Sequence, residues 1–250
     1  MEEYEQCGLF DEEYPKYEIQ KKIRLIELFA GVGSQSMALK RMGVDFESYK
    51  AVEFDEFAMK SYNSIHDTNF PTMDITKTHA SDLEIVDKDK YEYIMFYSFP
   101  CTDLSLAGRQ AGMSRDSGTR SGLLWEVERL LKELPKEQLP DVLIMENVPQ
   151  VHSEKNLPDF EDWIDFLRKL GYSNFWQDLN AKDFGVPQNR DRCFMISMLG
   201  DYEYQFPRPI PLEKVIVDVL EDEVDEKFFI RSEKAKLLID QLIKDGKIEE

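Results

Sequence analysis

The chain is short of cysteine, histidine and positive charge, and each shortage removes a class of explanation. Its 250 residues hold three cysteines. Cys7, Cys101 and Cys193 are dispersed, odd in number and without metal-ligand spacing, which excludes a disulfide framework and fits a reducing compartment. The three histidines, His66, His79 and His152, stand far apart, and no metal site is expected. Against 50 Asp and Glu there are only 31 Lys and Arg, a formal charge of -19. The chain as a whole is therefore no nucleic-acid grip, because phosphate contacts need clustered cations. No apolar run is long enough for a membrane helix and the amino terminus carries no signal-peptide pattern, so no membrane partner and a cytoplasmic location are expected.

The acidity is uneven. One share lies in an extension over residues 1–21, at Glu2, Glu3, Glu5, Asp11, Glu12 and Glu13; another runs from Asp218 to Glu226. Both read as solvated or partner-facing segments. The length suits one α/β domain with appendages.

What is present is organised around Cys101. Residues 91–97 form an aromatic and β-branched run of strand length, which Pro100 stops. A thiol just past such a strand lies at the mouth of a sheet, where open α/β folds place ligands. Alone it reads equally well as a buried structural thiol. The loop that follows, residues 106–122, is long, glycine-rich and locally basic, with Arg109, Arg115 and Arg120. Such loops act as lids, and a thiol under a basic lid suggests a nucleophile that meets a polyanion.

Before this stretch, residues 23–29 read as a strand, Ala30-Gly31-Val32-Gly33-Ser34 as a turn, and residues 35–42 as a helix. Strand, Gly-x-Gly turn and helix open a nucleotide-cofactor site, although Ser36 stands where the third glycine of the dinucleotide fingerprint belongs. A second strand over residues 47–54 sets Glu53 about 20 residues after the turn, where a carboxylate holds ribose hydroxyls. A helix over residues 55–65 follows. Asp74 reads either as an acceptor for an adenine amino group or as a turn residue.

After the lid, residues 123–134 show helical spacing, and residues 141–148 form an apolar strand that carries Glu146 near its end. An acid desolvated there can hold a proton long enough to donate it. Residues 159–170 read as an amphipathic helix, and residues 172–179 and 193–199 as strands. Between those strands, Arg190 and Arg192 are either surface charge or a clamp for a phosphate and a base carbonyl. Strands alternating with helices imply an α/β, doubly wound, mixed but mostly parallel sheet.

Taken in order, Phe29-Ala30-Gly31-Val32-Gly33, Glu53, Asp74, Pro100-Cys101, Glu146-Asn147-Val148 and Gln188-Asn189-Arg190-Asp191-Arg192 resemble the motif series of the C5-cytosine DNA methyltransferases. The resemblance covers roughly residues 23–211. It implies a Rossmann-like S-adenosylmethionine-dependent methyltransferase fold. It also implies a cofactor pocket of Phe29, Ala30, Gly31, Gly33, Glu53, Phe54, Asp74, Ile75, Pro100 and Leu123, with no metal. Cys101 would be the nucleophile, Glu146 would engage cytosine N3, and Arg192 its O2. Arg190 and Ser105 would approach backbone phosphate, with Arg109 and Arg120 also facing double-stranded DNA.

The chemistry of the residues agrees. Cytosine C5 is too weak a nucleophile to attack a sulfonium methyl, but thiolate addition at C6 with proton donation to N3 makes an enamine whose C5 can attack. No histidine is placed to remove the C5 proton afterwards, so water or hydroxide is the expected base. A stacked cytosine hides C6, so the base must be flipped out and the lid closed behind it.

Three departures from the family pattern are mild: Glu27 for a frequent aspartate, Ser34 for a second consecutive glycine, and Thr102 for a glutamine. The larger one lies after residue 211. The basic target-recognition region and the final Gly-Asn-x-Val-Pro motif are not found; residues 215–220 and 231–244 read as short helices. The expected organisation is an acidic extension (1–21), a catalytic domain (22–211) and a helical segment (212–250) leading towards recognition. A second subunit supplying recognition and the last cofactor motif is a further expectation, in a bacterial or phage-infected cell and a restriction-modification setting. The competing reading is a methyltransferase-like binding subunit that does not turn over, against which the joint presence of Cys101, Glu146 and Arg192 argues. A tRNA methyltransferase ranks lower, since its Cys-Phe-Thr signature is missing.

Overall fold

A computed structural model describes residues 14–105, 111–115, 117–229 and 231–247. Its strands are β1 (Lys22–Leu28), β2 (Phe46–Val52), β3 (Tyr91–Tyr97), β4 (Val142–Asn147), β5 (Tyr172–Asn180) and β6 (Asp191–Leu199). They form one sheet in the order β2-β1-β3-β4-β6-β5. The first four named in that order run parallel, and β6 is antiparallel to both of its neighbours. The α-helices among the described residues are α1 (Ser34–Arg41), α2 (Glu56–His66), α3 (Leu124–Glu133), α4 (Leu157–Leu170) and α5 (Glu233–Lys244). None is long and apolar enough to cross a membrane.

Strand alternation builds two cores. Tyr93, Met95 and Tyr97 of β3 face the larger one, which Leu124, Val127, Leu130 and Leu131 of α3 and Phe160, Trp163 and Leu167 of α4 complete. Ile94 and Phe96 point the other way, towards Leu39 of α1 and the aromatic residues Tyr17, Tyr202 and Tyr204. Trp163 is fully buried and donates its indole N–H to the Tyr97 hydroxyl at 3.0 Å, which satisfies the polar end of a large apolar side chain. A groove of about 730 Å³ crosses the second face, lined by Ile94, Val142, Ile144, Ile196 and Met198 and by none of the expected site residues.

The elements depart from the sequence reading mainly at their ends. β2 stops at Val52, so Glu53 and Phe54 lie just beyond the strand. α4 starts at Leu157, with Pro158 in its first turn, where a missing N–H costs no hydrogen bond. β6 starts at Asp191, which pairs with Asn180, so Arg192 belongs to a strand rather than to the preceding loop. Where a helix was expected over residues 215–220 there is a single 3-10 turn, Ile216–Val219.

Parallel strands share a carboxyl edge, and the antiparallel β6 brings its start to that edge. Gly31, Glu53, Cys101 and Glu146 therefore follow or close β1, β2, β3 and β4 at one border of the sheet, and Arg192 joins them from β6.

Candidate functional site

The glycine turn after β1 is held from both sides. Gly31 has φ +55°, and its N–H donates to Glu53 Oε2 at 3.0 Å, while Glu53 Oε1 accepts from Asp55 N–H at 2.8 Å. A Cβ at Gly31 would meet nothing within 4 Å, so this glycine borders open space. Gly33, at φ +80°, is different: a Cβ there would lie 2.2 Å from His66 Nε2 and 2.7 Å from Tyr62 Cε2. Of the two glycines expected to let a ligand approach, only Gly31 faces room; Gly33 is glycine because α2 packs against it.

Ser36 has its own task. Its hydroxyl donates to Glu27 Oε2 at 2.6 Å, and the Tyr62 hydroxyl donates to the same oxygen at 2.5 Å. Glu27 is only 1% exposed, so this carboxylate is satisfied wholly from α1 and α2. Burial, reinforced by the Glu27 charge, pushes the Tyr62 hydroxyl well above its ordinary range. The serine in place of a third glycine thus anchors the helix that the turn begins.

Phe54, 76% exposed, holds an aromatic ring beside Glu53. Met73 N–H donates to the Glu53 carbonyl at 2.8 Å and brings the next segment alongside. Of the two readings of Asp74, the turn is the one the hydrogen bonds describe: Oδ1 accepts from the Thr76 hydroxyl at 2.8 Å and its amide at 3.0 Å. Those bonds hold the Asp74 carboxyl below its ordinary range. Ile75 is a core side chain, 6% exposed, and its carbonyl accepts from Arg129 at 2.9 Å.

The Cys101 loop is fixed by residues that sequence reasoning gave no role. Asn147, buried at the end of β4, donates from Nδ2 to the Phe99 carbonyl at 2.9 Å. Ser121 donates to the Pro100 carbonyl at 2.7 Å. Asp103, 7% exposed, accepts from Arg120 N–H at 2.8 Å, closing the loop on itself. Leu104 and Ser105 donate their N–H groups to the Cys101 carbonyl at 3.0 and 2.9 Å. Cys101 itself is half-buried. Leu123 packs against the larger core immediately before α3.

The expected lid over residues 106–121 is described only in part. Residues 106–110 and 116, with Arg109, lie outside the described residues. The distal part is fastened down: Met113 is fully buried, and its carbonyl accepts from Trp125 Nε1 at 2.7 Å. Arg115 lies 3.7 Å over the Trp125 ring and forks onto Glu128. Its cation is therefore committed to α3, whereas Arg120 is exposed.

Glu146 faces cations. Arg192 Nε lies 2.9 Å and Arg190 Nη2 3.5 Å from Glu146 Oε1, cations that the apolar strand does not itself disclose. The reason is register: β6 runs back along β4 and delivers both guanidiniums to its end. Asn180 positions this hairpin, donating from Nδ2 to Asn189 Oδ1 and Asp191 Oδ1, both at 2.7 Å, and accepting from Arg190 N–H at 3.1 Å. The anchoring roles of Asp103, Asn147 and Asn180 escaped the sequence reading, although Asn147 stands in a quoted motif, because an acid or amide that ties distant loops has no local spacing.

Glu146, Arg190 and Arg192 line a cleft of about 340 Å³ with Leu179, Phe184, Phe194 and Pro207. Apolar walls and a few polar groups that present both donors and an acceptor suit a flat heteroaromatic ring.

The chain matches the model of the family "C-5 cytosine-specific DNA methylase" over residues 23–247. It is 32% identical to the type II methyltransferase M2.ScrFI of Lactococcus lactis subsp. cremoris, over 84% of this chain and 71% of that protein. It is 34% identical to the orphan methyltransferase M.SssI of Spiroplasma monobiae, over 83% of this chain and 67% of that one. With the type II methyltransferase M.HhaI of Haemophilus parahaemolyticus it shares 31%, over 88% and 64%. The crystal structure of S. pombe Dnmt2 superposes with a TM-score of 0.67 at 22% identity, covering 90% of this chain and 66% of that one, and shows the fold alone. By the match over residues 23–247, the chain belongs to the C-5 cytosine-specific DNA methylase family.

Proposed function

We propose that this chain transfers a methyl group from S-adenosylmethionine to C5 of cytosine in DNA, with Cys101 as a covalent nucleophile on a flipped base. The observation that carries the reading is the meeting, at one sheet edge, of a fixed cysteine loop, a carboxylate paired with two arginines, and a glycine turn buttressed by a carboxylate.

The residues fit the cofactor. Gly31 borders open space, Glu53 keeps its carboxylate at the turn, and Phe54 offers an exposed ring for stacking. Phe29, Ala30, Gly31, Gly33, Glu53, Phe54, Asp74, Ile75, Pro100 and Leu123 would hold it, Gly33, Asp74 and Ile75 by shaping the wall behind it. When bound, S-adenosylmethionine supplies an electrophilic methyl group.

Cys101 adds to C6 of the cytosine, and the electron pair of the C5–C6 bond moves towards N3, where Glu146 delivers a proton. Arg192 holds O2 and, by its ion pair, keeps Glu146 aimed at the ring. The enamine so formed carries its electron density on C5, which would take the methyl group that the cofactor supplies. Water or hydroxide then removes the C5 proton, the C5–C6 double bond re-forms as the thiolate leaves, and the N3 proton returns to Glu146. Ser105, Arg109, Arg120 and Arg190 contact the DNA backbone. In this reading the catalytic unit is residues 22–211, and target recognition lies beyond it, on the same chain or on a second polypeptide.

The test is transfer of labelled methyl from S-adenosylmethionine to duplex DNA, with the product identified by nucleoside mass spectrometry. Label in 5-methylcytosine that disappears with Cys101→Ser supports the proposal. Label in another nucleoside, or transfer that persists without the thiol, overturns it.

A further inference from the structure

His152, Asp178 and Cys193 are distant in sequence and meet on one face of the sheet. Asp178 and Cys193 sit directly opposite each other on β5 and β6, on the face of the larger core, to which Cys193 belongs. His152 closes the short 3-10 turn Pro149–His152, which follows Glu146-Asn147-Val148. Its Nε2 lies 3.0 Å from each oxygen of Asp178, and the wholly buried Cys193 stands opposite Asp178 across the β5–β6 pair. Trp176 packs 4.6 Å from the imidazole, centroid to centroid, and helps hold it in place. None of the three has a part in methyl transfer. Cys193 is wholly buried, His152 half-buried and Asp178 exposed, so the cluster runs from the core out towards solvent.

We propose that these three side chains bind a single divalent cation of the zinc class. The ligand atoms all lie within 4.8 Å of one another. A tetrahedral ion with bonds of about 2.0–2.3 Å sets its donors roughly 3.3–3.8 Å apart, so small side-chain rotations complete the geometry. Thiolate and imidazole select zinc or cobalt over magnesium and calcium, which favour oxygen-only shells. The thiol proton passes to solvent as the sulfur bonds the metal. Asp178 also lines a cleft of about 610 Å³ with Gln150, Arg190 and Arg192, from which water can supply a fourth ligand. The ion would clip together the turn after Glu146, β5 and the start of β6, the segments that set Glu146 against Arg192. The sequence shows no such site because His152 and Asp178 alone are separated by 26 residues, outside any ligand motif.

The test is to strip the full chain with chelator and titrate it with Co(II) under reducing conditions. The expected result is a one-to-one complex with a thiolate-to-cobalt charge-transfer band, displaced by Zn(II) and accompanied by a higher melting temperature. Cys193→Ser removes the band, Cys101→Ser retains it, and His152→Ala, at a half-buried position that tolerates truncation, weakens binding by about 10-fold or more. No charge-transfer band in the unaltered chain, a band that survives Cys193→Ser, or unchanged affinity in His152→Ala overturns the proposal.

Discussion

At Gly33 two independent restraints act on one residue. Its φ of +80° disfavours any side chain by about 1 kcal/mol, and a Cβ would lie 2.2 Å from His66 Nε2. Gly33→Ala should therefore displace α2 from the turn and weaken S-adenosylmethionine binding about 10-fold or more in calorimetry. Adding His66→Ala removes the nearer collision and leaves the Tyr62 Cε2 contact at 2.7 Å and the backbone penalty, so affinity should recover in part. Unchanged binding in the single variant would show that the turn is not the cofactor wall. Arg192 admits a comparable test, because its Nε is the close partner of Glu146. Arg192→Ala should lower kcat/KM for methyl transfer by about 10²–10³-fold, the scale of losing one oriented donor in an enclosed site. Arg192→Lys should restore little, since an ammonium cannot reproduce the guanidinium fork.

Among the elements, α3 fastens the distal part of the loop that follows Cys101. Glu128 is 5% exposed. Burial alone would raise its carboxyl, but the Arg115 fork and Lys132 outweigh it and hold the group below its ordinary range. A carboxyl lowered in the folded state contributes stability above the ordinary carboxylate range, about 4.3, and that contribution drains away as pH falls through the lower folded value. Glu128→Gln should thus cost about 1–2 kcal/mol in urea unfolding at pH 7. It should also flatten the loss of stability on acidification, and an equal acid slope in both proteins would refute the role of the pair. Asn147, which bridges β4 to the Phe99 carbonyl, offers a kinetic counterpart. Asn147→Ala should lower kcat more than it raises KM, because the thiol loses its fixed position while the DNA contacts remain.

These elements also mark what could be read without coordinates. β1, β3 and β4 were legible because buried parallel strands are continuous apolar runs. Glu53, Cys101, Glu146 and the two arginines were legible as candidates because each follows or borders a strand end at a recognisable spacing. Ser36 looked like a defect in a glycine pattern and is the anchor of Glu27, whose partners come from α1 and α2. The ion pairs of Glu146 were not legible because the guanidiniums arrive with an antiparallel strand whose register no local pattern discloses. Asp103 and Asn180 belong to the same class of long-range anchor.

For the whole molecule, a formal charge of -19 accompanies a site that must meet a polyanion. Arg190, Arg192 and Arg120 are local exceptions at one edge, and the chain spans 64–71% of the three relatives named above. Cations for the bulk of the DNA contacts belong, in the proposed division of labour, to the recognition part beyond residue 211. The central claim, that Cys101 forms a bond to C6 of cytosine, is tested most directly by trapping. The full chain is incubated with S-adenosylmethionine and a mixed-sequence duplex containing 5-fluorocytosine, whose fluorine blocks the final elimination. The account predicts a covalent protein–DNA species whose formation requires S-adenosylmethionine, whose mass includes one methyl group, and which is absent with Cys101→Ser. Failure to form that species while the cofactor binds, or its persistence without the Cys101 thiol, would contradict the account.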